Sequence, residues 1–273
     1  MTVPRQKRAF TLIELLVVIA IIALLLSIVM PSLKKAKDHA RTVLDRNNLK
    51  SLSTALHIYL NLYEDSFFAY NNNFLWMSEI GKLVDNIDEV RYSPHTLSGA
   101  PEVIAEYNAA PGSKWGSAKR PWLWGNSPDP TQKYQLGSYG LNGWLYSECS
   151  LVPAGQKSYI YGKRTAARNP SRTPVILNSN WVDAWPQRTN ALATWQSSGG
   201  GLDSYSTGAR DSTHGDANNS YMMGRFLLNV AGRPETNVVL LDGQVATISH
   251  AELWALSWHR SYQPNFNPTL PPR

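Results

Sequence analysis

Residues Leu15 to Met30 read LLVVIAIIALLLSIVM, an uncharged apolar run, and Phe10, Leu12 and Ile13 extend it toward the N-terminus with only Thr11 and Glu14 interrupting. Taken from Phe10, the run is long enough to cross a bilayer core as a helix rising about 1.5 Å per residue. Beyond it the pattern changes: Leu33, Ala36 or Lys37, Ala40, Leu44, Asn48, Leu52, Leu56, Tyr59 and Tyr63 recur at three- and four-residue spacing. That is an amphipathic stripe, with Lys34, Lys35, Asp38, Arg41 and Arg46 on other faces. Pro31 is tolerated inside a helix as a kink, and no Gly interrupts before Tyr63. The pattern predicts one helix from about Thr11 to Tyr63, roughly 80 Å long, with Leu52, Leu56 and Tyr59 in a core.

After Phe67 the chain turns to short apolar runs separated by turn residues. Pro174 to Leu177, Arg225 to Val230 and Asn237 to Leu241 have the length and branched-residue content of strands. Asp242-Gly243, between Val238–Leu241 and Gln244–Ile248, is a two-residue hairpin signal of the type I′ kind. Pro94 to Pro130 and Gln187 to Asn219 are rich in Pro, Gly, Ser and Asn and are expected to be long surface loops, with Ser197 to Gly201 the most flexible. Trp254 and Trp258 are spaced to share one helix face over the core. The expected class is α+β, an antiparallel sheet laid on the second half of the long helix. Four regions follow: 1–9, a segment ahead of the apolar run; 10–30, the membrane half of the helix; 31–63, its exposed half; and 64–273, a β-rich head.

Composition narrows the function. Hydrophobic residues are 43% of the 273 and charged residues 17%, enough for a packed, water-soluble domain beyond the apolar run. The net charge of +6 owes three charges to Arg5, Lys7 and Arg8, all ahead of that run. The remainder is too small to argue for a nucleic-acid partner. Cys149 is the sole cysteine, so neither an intrachain disulfide nor a Cys-rich metal site is available. The sequence has no nucleophile elbow and no phosphate loop, and His250-Ala251-Glu252 lacks the cysteine pair of a zinc deaminase. His214 and Asp216 read as a solvated loop rather than a site. No catalytic constellation emerges.

A carboxylate inside an apolar span must be neutralised or kept from lipid, since an unpaired charge there costs about 2.5 kcal/mol or more. Glu14 therefore calls for a cation, and the run offers none. A secretory signal peptide is disfavoured by that carboxylate and by Pro31-Ser32-Leu33-Lys34-Lys35, which gives no small-x-small cut. The stretch Arg8-Ala9-Phe10-Thr11-Leu12-Ile13-Glu14-Leu15-Leu16-Val17-Val18-Ile19-Ala20-Ile21-Ile22-Ala23-Leu24-Leu25 resembles the N-terminal cleavage and methylation motif of type IV prepilins and type II secretion pseudopilins. The resemblance implies a prepilin peptidase that cuts between Ala9 and Phe10 and methylates the new amine of Phe10. Ala9 stands where the family usually has Gly. It implies, too, that Glu14 pairs with the N-terminal amine of a neighbouring subunit during assembly.

A second resemblance lies in Asn48-Leu49-Lys50, Ala55-Leu56-His57 with Tyr59, Ser138-Tyr139-Gly140-Leu141-Asn142-Gly143-Trp144 and Asn237-Val238-Val239-Leu240-Leu241-Asp242-Gly243-Gln244-Val245. These are similar to large pseudopilin-like proteins of planctomycetes and related bacteria, in which a His often stands ten residues before the Asp-Gly; here that position is Gly232. Together the resemblances imply a pilin-like structural subunit, not an enzyme. They imply a single-pass inner-membrane protein with a periplasmic C-terminal head, whose partners are the peptidase, other pilin or pseudopilin subunits, an inner-membrane assembly platform and lipid. No cofactor is expected, with Ca²⁺ the one ion considered. Asp242 is its candidate ligand, weighed against a turn role because acidic neighbours are few. The alternative is a membrane-tethered glycan- or partner-binding module, with Trp122 and Trp185 as candidates for an exposed stacking surface.

Overall fold

The computed structural model describes residues 11–70, 76–94, 136–150, 152–179, 181–186, 234–253 and 255–262, with shorter pieces at 96, 105, 109, 116, 121–124, 195–197, 205–207, 221–223 and 227–228. The chain divides into two compact units, residues 1–41 and 42–273. The second unit begins inside the long helix.

Helix α1 runs from Leu12 to Leu62 with Pro31 inside it. Its start is fixed by a reciprocal cap: the Thr11 amide and hydroxyl each donate to Glu14 Oε2 at 2.8 Å, and the Glu14 amide donates to Thr11 Oγ1 at 3.2 Å. This is the Thr-x-x-Glu capping box, which satisfies two otherwise orphaned backbone donors. Around Pro31, the Ser27 hydroxyl donates to Leu24 O at 2.7 Å and the Ser32 hydroxyl to Val29 O at 2.8 Å. The helix stops without a glycine. Glu64 and Asp65 take positive φ (51° and 63°), the Asp65 amide donates back to Leu60 O, and the Asp65 carboxylate pairs with Arg164.

In the second unit, short helices α2 (Trp76–Gly81) and α3 (Ile87–Val90) precede the strands. The main sheet joins β3 (Tyr139–Asn142), β4 (Pro174–Asn178), β5 (Asp183–Ala184), β10 (Pro234–Leu240) and β11 (Val245–Ser249) in the order β11-β10-β4-β3-β5, with β9 (Leu227–Leu228) also paired to β10. All pairs are antiparallel except β3 with β5. The expected α+β class holds, with that one parallel pair added. A fully buried pair, β1 (Trp122–Leu123) with β2 (Leu136–Gly137), and a three-stranded sheet of β6 (Trp195–Ser197), β7 (Tyr205–Thr207) and β8 (Tyr221–Met223) complete the strands. Helix α4 (His250–Leu253) follows β11.

The core of this unit packs Leu49, Leu52, Leu56 and Leu60 of α1 with Trp76, Met77, Tyr139, Leu141, Trp144, Ile176 and Val239. Leu52, Leu56 and Tyr59 are buried as predicted, whereas Leu44 and Tyr63 are 54% exposed. Below Leu52 the buried face turns by one residue, to Asp45 and Leu49, because polar partners capture Asp45 from the sheet side. The expected loops are also partly wrong. Strand β1 lies within 94–130, and β6 and β7 within 187–219, so aromatic strand residues outweighed the surrounding turn formers. Trp254 lies outside the described residues, and α4 ends at Leu253, so Trp258 reaches the core from irregular chain beyond the helix, its indole donating to Leu253 O at 2.9 Å.

The β10–β11 connection is a three-residue loop rather than a type I′ turn. Val239 pairs with Val245, Leu240 N donates to Gln244 O and Gly243 N to Leu240 O. Gly243 has φ +88°, and Asp242 is not among the positive-φ residues. This is a type I turn closed by a left-handed glycine, the next most common hairpin after the two-residue forms. Asp242 Oδ1 accepts from the Gln244 amide at 3.0 Å, which pins the same turn. A Cβ at Gly243 would lie 3.4 Å from His57 Cε1. Gly243→Val is therefore expected to destabilise this unit by about 1–2 kcal/mol from left-handed strain alone. Asp242→Asn, which keeps the accepting oxygen, should stay within about 0.5 kcal/mol of wild type. Urea unfolding of the detergent-solubilised chain checks both; equal stability of the two variants would reject this turn.

Candidate functional site

The residues that carry the N-terminal chemistry lie at one end of α1. Ala9 and Phe10 are outside the described residues. Glu14 is exposed in the first turn of α1, and residues 11–37 are all exposed, an uninterrupted apolar surface apart from Glu14 and a few hydroxyls before Lys34. The helix has a window of mean hydropathy 3.2, long and apolar enough to cross a membrane. What the structure adds to Glu14 is its local partner: the carboxylate caps Thr11, so it enters any further pairing already held in one orientation.

The second constellation sits in the 42–273 unit and is centred on Asp45, a residue the sequence pattern does not single out. Its side chain is 0% exposed. Oδ1 accepts from the Ser93 hydroxyl at 2.7 Å and the Tyr139 hydroxyl at 2.8 Å; Oδ2 accepts from the Asn178 and Asn237 amides, both at 2.7 Å. A carboxylate has about four lone-pair positions, and all four are filled by neutral donors. The strand register explains the convergence. Tyr139 pairs with Asn178, and Leu177 with Val238, which places Tyr139, Asn178 and Asn237 in one row across β3, β4 and β10. The signal available in the sequence was asparagine at two strand positions, a residue depleted from strands.

From the next residue onward, α1 grips the backbone of the β10–β11 loop and of the start of β11. Arg46 Nη2 donates to Val245 O at 3.3 Å and Lys50 Nζ to Gly243 O at 2.9 Å, while His57 Nε2 lies 3.1 Å from Leu241 O and its Nδ1 2.8 Å from Ser53 O. Asn48 Nδ2 donates to Tyr92 O at 3.0 Å, and Asn142 Nδ2 to Pro174 O and Trp258 O, both at 2.9 Å. The head residues carrying the second resemblance thus meet one another as fold contacts.

Two candidate residues are corrected outright. Trp122 is 0% and Trp185 2% exposed. The Trp122 indole donates to Tyr139 O at 3.1 Å. Trp185 packs edge-on to Trp144, stacks on Tyr146 and lies against Gly143, where a Cβ would come within 2.3 Å of its ring. Large apolar rings close to glycines are drawn into the core, so neither tryptophan offers a face to a sugar. Asp242 is occupied as a turn acceptor, and the described residues contain no group of three or more His, Cys, Asp or Glu able to hold a metal ion.

Beside this aromatic cluster, burial pushes the Asp183 carboxyl up to about 7, partly offset by the Tyr146 hydroxyl that donates to it at 3.3 Å. Burial also lowers His259, stacked on Tyr159, to about 4.

Comparison with known proteins places the first constellation. Residues 4–30 match a known pattern. It is the prokaryotic N-terminal methylation motif. The chain is similar to the type II secretion system core protein G of Pseudomonas aeruginosa, at 34% identity over 66 residues, 24% of this chain and 44% of that protein. It therefore spans less than half the length of this relative. No solved structure matches the chain. The methylation motif thus coincides with the exposed apolar half of α1, the part of the helix long and apolar enough to cross a membrane.

Both buried sites give measurable consequences. Asp45→Ala strands up to four buried donors, each costing about 1–3 kcal/mol. A net loss of about 3–5 kcal/mol, as for a broken buried polar pair, is expected in urea unfolding; a loss below about 1 kcal/mol would show that the node is dispensable. For Asp183 the folded value lies above the ordinary 3.8, so the native state holds a proton that the unfolded state releases. Its contribution is present at pH 4 and is lost as pH rises toward 7. Asp183→Asn should thus raise Tm relative to wild type at pH 8 and progressively less toward pH 4. A Tm difference independent of pH would contradict this.

Proposed function

We propose that this chain is a structural subunit of a type IV pilus-like or type II secretion pseudopilus filament, and that assembly rather than catalysis is its activity. The observation that carries the reading is the methylation motif at residues 4–30 running along a helix whose residues 11–37 are wholly exposed and apolar save for Glu14, a few hydroxyls and a basic group after Leu33. An apolar surface of that length needs lipid or other copies of itself to cover it. In this reading a prepilin peptidase cuts between Ala9 and Phe10 and methylates the Phe10 amine. The subunit rests in the inner membrane with its head in the periplasm. An assembly platform then brings neighbours together, and the Glu14 carboxylate accepts the amine of an adjacent Phe10 as the subunit leaves lipid for the filament.

The ordering of Glu14 by Thr11 supports this step. A carboxylate already held by two donors loses less freedom on pairing, and the neighbour's cation replaces the cost of carrying a charge into an apolar bundle. The alternative of a tethered glycan-binding module has lost its two named anchors to the core.

Processing and pairing are tested separately. Intact-mass measurement of membrane-extracted protein should give a chain starting at N-methylated Phe10; retention of Met1, or a cut after Met30, would defeat the reading. Glu14→Ala should be cleaved and inserted normally yet at least tenfold depleted from sheared filaments in competition with wild type. Equal incorporation would assign the carboxylate another role.

A further inference from the structure

Among the 1–41 residues, the end of the apolar surface is marked by a dense basic group that neither the methylation motif nor the proposed assembly step uses. Lys34, Lys35 and Lys37 follow within four residues of Leu33, all three are exposed, and none has a carboxylate partner among the described residues. Arg41, one turn beyond Lys37, is partly neutralised by Asp38 at 3.5 Å, the one acidic side chain in the group. The spacing matters. From Leu12 to Leu33 the helix rises about 33 Å at 1.5 Å per residue, which matches a hydrocarbon core of about 30 Å. Lys34 then falls at the polar boundary, and Lys37 and Arg41 lie roughly 4.5 and 10 Å beyond it along the axis, the depth of a headgroup layer. Lys34, Lys37 and Arg41 share one side of α1 by their three- and four-residue spacing, while Lys35 lies about 100° away, so the cations span an arc of about 160°, nearly half the helix.

This placement also opposes the usual bias. With Arg5, Lys7 and Arg8 on the cytoplasmic side, the group at 34–41 would lie on the opposite face, where lysine and arginine are normally sparse. Their presence there calls for a counter-charge, and long lysine side chains at a helix end reach the interface readily.

We propose that Lys34, Lys35 and Lys37, assisted by Arg41, form a collar that binds the phosphates of anionic phospholipid headgroups on the face of the membrane opposite the N-terminal basic residues. The collar rests on the membrane-spanning reading of α1. It recruits a shell of acidic lipid around each unassembled subunit and sets the depth at which the helix sits.

The test reconstitutes the full chain in vesicles of phosphatidylcholine mixed with phosphatidylglycerol and measures, by electron spin resonance, how strongly spin-labelled phosphatidylglycerol and spin-labelled phosphatidylcholine are each restrained at the protein surface. Near-surface lysines contribute about 1 kcal/mol each, equivalent to about fivefold in association. Wild type is therefore expected to prefer phosphatidylglycerol at least about fivefold, with the preference falling in high salt. K34Q/K35Q/K37Q should lower it toward unity while remaining in the vesicles after carbonate washing, and K34R/K35R/K37R should retain it. An inserted wild-type chain with no preference, or a preference unchanged in the glutamine variant, would overturn the collar alone. A wild-type chain washed out by carbonate would overturn the membrane reading and the collar together.

Discussion

The carboxylate of Asp45 is the constraint on which the 42–273 unit depends. It is carried by α1, it is fully buried, and its four acceptor positions are filled from the segment after α3 and from three adjacent strands. Hydrophobic contacts between a helix and a sheet are non-directional and tolerate sliding and rotation. A buried acceptor with four fixed donors does not, because a rotation of one residue would leave both sides without partners in a region that water does not reach. The node therefore selects one register of α1 on β3, β4 and β10 out of several that would bury similar apolar area. This is the specificity role that buried polar groups fill in some proteins.

Other polar contacts extend that choice along the helix. Arg46, Lys50 and His57 reach backbone carbonyls of the β10–β11 loop and the start of β11, and Asn48 reaches the carbonyl of Tyr92. Backbone carbonyls are acceptors whatever side chain they carry, so this mode of attachment places demands on α1 and on the conformation of the loop. It places few demands on the loop's side chains. The left-handed glycine at 243 is the exception, since its φ of +88° strains any residue that carries a Cβ.

The tryptophans illustrate how function is constrained by packing. Trp76, Trp122, Trp144 and Trp185 are among the largest fully buried side chains, and the indole nitrogens of Trp76, Trp122 and Trp144 donate to the backbone carbonyls of Val182, Tyr139 and Pro186. Each ring closes a gap that a thin sheet with short strands would otherwise leave. These four rings are at most 2% exposed, so none of them presents a face to solvent.

Much of this protein was legible in its sequence because the relevant signals are local. Apolar continuity from Leu12 to Leu33, three- and four-residue spacing at Leu52, Leu56 and Tyr59, and the Asp242-Gly243 turn each involve residues a few positions apart, where helix and hairpin geometry dictate who can meet. The motif around Ala9, Phe10 and Glu14 is legible for the same reason. What only the tertiary structure decided involves partners separated by tens to hundreds of positions: that Asp45 rather than Leu44 faces the sheet, that Asn178 and Asn237 fall in one row with Tyr139, and that Trp122 and Trp185 are core. A polar residue on a helix looks solvated until its donors are known, and a tryptophan in a glycine-rich stretch looks exposed until the gap it fills is known. Burial of either is settled by the sum of distant contacts, which no local pattern contains.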